Sequence, residues 1–150
     1  MENEAAGSSP SHGMPAVDDL LAEVVELRLP AETGQIPLVR MLAQAVVARA
    51  DYGLDAIADA KMAVDEACAQ LVELADFGET MTCRFRVAPE GVAITVETTA
   101  GHARLPSDHS FGWHVLTTLA AAVSATSTPA PGSAGNTLSI HLELGPGTAR

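Results

Sequence analysis

The stretch Asp59-Ala-Lys-Met-Ala-Val-Asp-Glu66-Ala-Cys-Ala-Gln70-Leu-Val-Glu-Leu-Ala75 decides how this chain folds. At about 100° per residue, Ile57, Val64, Cys68, Leu71 and Ala75 fall on one stripe, while Glu66 and Gln70 lie one turn apart on the opposite side. A helix with that pattern packs by one face and offers Glu66 and Gln70 on the other. It runs from about Leu54 to Ala75. Near its start Asp51, Asp55 and Asp59 recur every fourth residue, a negative stripe that suits the helix dipole and reads as a solvated face.

Upstream, Leu38, Val39, Leu42, Val46 and Val47 recur at helical spacing between Ile36 and Ala50, and Asp51-Tyr-Gly53 closes that helix with a C-terminal glycine. Before it, residues 24–29 alternate as a first strand that stops at Pro30, and Thr33 and Gly34 supply a loop. Downstream, residues 82–88 and 92–98 alternate at period two around Pro89-Glu90-Gly91, which predicts a hairpin. Phe111 to Val123 carries Trp113, Leu116, Leu119 and Val123 at helical spacing, followed by a small-residue loop over 124–136. Leu138, Ile140, Leu142 and Leu144 alternate in a last strand. The order β, α, α, β, β, α, β predicts an α+β fold, a two-layer α/β sandwich whose mostly antiparallel sheet is covered on one face by helices. Residues 20–145 form the single domain. Residues 1–19 and 146–150 read as disordered, since Gly, Ser, Pro and acid without periodicity bury too little to offset ordering entropy.

The chain has 150 residues, 47% of them hydrophobic but only 3% aromatic, so its core is built from Val, Leu, Ile and Ala. A formal charge of -11 excludes direct nucleic-acid binding, which needs clustered Lys and Arg, and suits a basic protein partner. Cys68 and Cys83 lack CxxC spacing and read as buried thiols in a reducing, cytoplasmic compartment. Neither a secretory signal nor a membrane span is expected.

Taken together, Met62-Ala-Val-x-Glu66-Ala, the central hairpin, Phe111-Gly-Trp-His-Val-Leu116 and Gly135-Asn-Thr-Leu138 resemble the anti-sigma-factor serine kinases (RsbW-like) of the GHKL, or histidine-kinase-like, ATPase superfamily. The similarity spans most of residues 24–144, and the Phe111–Leu116 segment is similar to the UsfX-type anti-sigma-F branch. The resemblance implies a Bergerat-type ATP pocket with Mg²⁺. Glu66 would be the catalytic base, Gln70 the metal ligand, and Gln70, Thr98, Gly101, Gly112 and Thr137 the nucleotide contacts. It also implies a sigma factor and a STAS-type antagonist as partners, homodimer formation through the first strand and helix, and partner contacts by Arg40.

Three departures bear on that chemistry. Gln70 stands where the family has Asn, so its amide oxygen is displaced by one methylene, and Mg²⁺ tolerates little deviation from octahedral geometry. The family's Asp-x-Gly-x-Gly reads Thr98-Thr-Ala-Gly101-His102, with Thr at the adenine-binding carboxylate and Gly101 one place out of register. The glycine-rich lid is reduced to Gly112, and one glycine makes no nest of amides for phosphate.

Three functions therefore compete. The first is an anti-sigma factor that sequesters a sigma factor, with a degenerate nucleotide pocket. The second is a serine/threonine kinase transferring the γ-phosphate to a serine of the antagonist. The third is a non-catalytic homodimeric adaptor. His102, His109 and His114 lack the carboxylate or Cys spacing of a metal site, and Trp113 reads as a core anchor.

Overall fold

Period-two alternation sorts the strands of this chain into a buried and an open face. The computed structural model describes residues 23–145 apart from Ser133, and the segments expected to be disordered, 1–19 and 146–150, lie outside the described residues. The elements are β1 (Glu23–Pro30), a 3-10 turn (Thr33–Gln35), α1 (Ile36–Arg49), α2 (Leu54–Leu74), β2 (Thr80–Ala88), β3 (Gly91–Ala100), α3 (Phe111–Leu119), β4 (Ala122–Pro129) and β5 (Asn136–Leu144). The strands form one sheet in the order β1-β2-β3-β5-β4, with every adjacent pair antiparallel.

Met81, Cys83 and Phe85 of β2, Ile94 and Val96 of β3, and Leu138, Ile140 and Leu142 of β5 are all fully buried under the helices. Their intervening neighbours face the other way and stay partly exposed. The register pairs Phe85 with Ile94 and Val96 with Ile140, and a one-residue slip would turn each of these side chains out of the core.

α2 is the central helix of the covering layer. Ala60, Ala63 and Ala67, all buried, present small side chains where its neighbours approach, and Val64, Cys68 and Leu71 point into the core. α1 buries Ile36, Val39, Ala43, Val46 and Val47. Trp113 of α3 is partly buried and packs against this core. Among the described residues no helix is long and apolar enough to cross a membrane.

Two expectations are corrected. The third helix ends at Leu119, and residues 122–129 are a strand, β4, on the edge beside β5. Val123 continues the spacing of Trp113, Leu116 and Leu119, yet its neighbours pair with β5 from Ala122↔Glu143 to Pro129↔Asn136. The helix also stops because Ala120 takes an extended conformation (φ -109, ψ 152). At the end of α1 the residue in the left-handed region is Asp51 (φ 66), whereas Gly53 is extended and caps α2. Asp visits that region at small cost because its short polar side chain bonds locally.

Candidate functional site

Glu66 and Gln70 lie on the flank of α2 that faces α3. Their i, i+4 spacing brings the side chains together, and the Gln70 Nε2 donates to Glu66 Oε2 at 3.0 Å. Gln70 Oε1 is buried and has no hydrogen-bond partner among the described residues, a state that costs free energy unless a donor or cation arrives.

Above this pair sits the first turn of α3. Ser110 caps the helix by accepting from the Trp113 N–H at 3.1 Å, and its own hydroxyl donates to the Ser107 carbonyl at 2.9 Å. The cap fixes Gly112 over the α2 flank so closely that a Cβ there would fall 2.6 Å from Gln70 Nε2 and closer still to Glu66 Oε2. Beside it opens a cleft of about 340 Å³, lined by Glu66, Gln70, Glu73, Leu105, Pro106 and Ser110 among others. Its lining holds two carboxylates and no Lys, Arg or His.

The other expected contacts are dispersed. Thr98 is 4% exposed, on the helix-covered face of β3, and its hydroxyl donates to the Thr80 carbonyl at 2.8 Å. Gly101 donates its N–H to Asp76 Oδ2 at 2.7 Å, which ties the exit of β3 to the end of α2. His102 reinforces the tie: its Nε2 donates to the Leu74 carbonyl at 2.8 Å and its Nδ1 accepts from the Arg104 N–H at 3.0 Å, an assignment fixed by these partners. Thr137 pairs with Thr99 and Thr128 on the open face of the sheet, since its neighbour Leu138 is the buried one, so Thr137 does not join the cleft. Arg40 on α1 reaches across to α2, where its Nε donates to both carboxylate oxygens of Asp65 at 2.9 and 3.0 Å. Both side chains stay 39% exposed, so the pair remains open to a visitor.

The donor set is thus mixed with respect to Mg²⁺ and ATP. The orphaned Gln70 oxygen suits a cation. The acidic lining, the contact of Gly112 with Glu66 and the absence of a carboxylate at Thr98 do not suit a triphosphate or an adenine amino group. As a whole the residues do not fit Mg-ATP.

A family model described as the histidine kinase-like ATPase domain matches residues 29–142. The chain belongs to the histidine kinase-like ATPase domain family. Within that family it is 37% identical over 98 residues to the "Anti-sigma-F factor RsbW" of Mycobacterium tuberculosis, covering 64% of this chain and 57% of that protein. It is 35% identical over 75 residues to the "Serine-protein kinase RsbW" of Halalkalibacterium halodurans, covering 49% of this chain and 46% of that one. The chain therefore spans about half the length of these curated relatives.

Reasoning from sequence missed Asp76, which anchors Gly101, and Ser110, which sets the position of Gly112. Ser110 was detectable as a cap three residues before Trp113, whereas nothing in the sequence pairs Asp76 with a residue 25 positions on.

Proposed function

We propose that this chain is a cytoplasmic anti-sigma factor, which binds a sigma factor and blocks its contact with RNA polymerase without needing nucleotide chemistry. The observation that carries the reading is the seating of Gly112 on the Glu66–Gln70 pair above a cleft without a basic side chain. A triphosphate needs cationic or amide partners, and each missing hydrogen bond costs on the order of 1 kcal/mol. Likeness to a protein named as an anti-sigma-F factor supports the same reading. Occlusion needs only affinity, and an acidic domain attracts the basic, apolar surfaces by which a sigma factor meets DNA and polymerase. Arg40 beside Asp65 is our candidate partner contact, and the exposed edge of β1 together with α1 is our candidate homodimer face. Pull-down with the purified chain at low salt recovers a sigma factor if the reading holds; recovery of none counts against it.

A second reading keeps the partner-switching kinase acting on an antagonist, and the orphaned Gln70 Oε1 favours it, because an acceptor stands ready where the family places its metal ligand. Thermal shift on addition of millimolar Mg-ATP would support this alternative, and no shift would remove it.

A further inference from the structure

Two of the three Phe residues in this aromatic-poor chain are held in water. Phe77 is fully exposed and Phe111 is 81% exposed. Neither sits on a loose loop. Phe77 occupies the corner of a hydrogen-bonded turn, Glu79 N–H to Asp76 carbonyl at 3.2 Å, whose next residue is Gly78 at φ +85. That left-handed third position is what a type II turn requires, and glycine supplies it without strain. The Asp76 carboxylate on the Gly101 N–H pins the same turn to the exit of β3. Phe111 is the first residue of α3, immediately after the Ser110 cap.

Leu74, Leu105 and Gly112 line one cleft, so Phe77, three residues after Leu74, and Phe111, next to Gly112, belong to the segments that border it, and Leu105 is itself exposed. Glu66 and Glu73 line that cleft and Asp76 and Glu79 close the turn that carries Phe77, while Asp108 and Arg104 follow in the segment 101–110 and His102 is committed to backbone partners. Exposed aromatics on fixed backbone beside a mostly acidic cleft are the make-up of an interface anchor. Their preset turns lower the ordering cost of binding.

From these observations we infer that Phe77, Leu105 and Phe111 form the docking rim for the partner protein, and that the segment bound there carries Lys or Arg beside apolar side chains. The inference rests on the anti-sigma reading and locates where it acts. The carboxylates steer the basic segment, and the two rings hold it by burial.

Both Phe side chains stand in water, so Phe77→Ser and Phe111→Ser should leave the melting temperature unchanged, which circular dichroism verifies. The probes are the sigma factors of the source organism, purified singly and titrated against the full chain. We expect each substitution to weaken binding by roughly tenfold and the pair by more, with Glu73→Gln weakening it only at low salt. If the wild-type chain binds a sigma factor and the double variant binds it equally well, the rim is wrong while the anti-sigma reading survives. If the wild-type chain binds none, both fall. If the double variant instead converts a dimer to a monomer in light scattering, the rim belongs to a second copy and the assignment is overturned.

Discussion

Gly112 carries a hydrogen where every other residue would press a carbon into the Glu66–Gln70 pair. Gly112→Ala should therefore force α3 outward or break the Glu66–Gln70 bond, destabilising the chain by about 1–3 kcal/mol in urea unfolding. A neutral result would mean that α3 does not rest on that pair. Cys68 makes a different residue-level claim. Its thiol lies 4.0 Å from that of Cys83 in the core, and the hydrogen bond between the two free thiols, followed by burial, raises the Cys68 pKa well above the ordinary value of 9.0. Tyr52 is shifted the same way by burial and then by Glu90. The unfolded chain releases these protons first, so their contribution is complete below about pH 8.5 and is lost as pH rises towards the folded-state values. Urea midpoints should fall from pH 8 to pH 10, and Cys68→Ala should flatten that slope.

At the scale of elements, legibility followed hydrophobic contrast. The stripe Val64, Cys68 and Leu71 and the alternation of Leu138, Ile140 and Leu142 were readable because buried and exposed positions differ sharply in residue type. β4 was not, because Ala122-Val-Ser-Ala-Thr-Ser-Thr128-Pro129 offers only small side chains on both faces, and its pairing with β5 decides its conformation. The strand ends on Pro129, a residue that an edge strand tolerates and a central strand would not. The same poverty of contrast leaves a fault on the inner face: Ser127 Oγ is buried with no partner among the described residues. Ser127→Ala should raise stability by roughly 1 kcal/mol, read as a higher urea midpoint at unchanged slope. Spacing put Glu66 and Gln70 on one side of α2 and the family resemblance singled them out, yet they face α3 rather than open solvent. Spacing fixes which side of a helix a residue occupies and leaves open what covers that side.

At the scale of the whole molecule, helices cover one face of a five-stranded sheet, and an acidic cleft opens where α2 meets α3. Charge of -11 makes association with a basic partner fast at low salt and weaker as salt rises. Grip without nucleotide is the central claim, and the direct measurement is calorimetric titration of the purified chain with the sigma factor that the pull-down recovers, with EDTA present and then with millimolar Mg-ATP. We expect the same affinity in both buffers. Binding that appears only when Mg-ATP is present would contradict it.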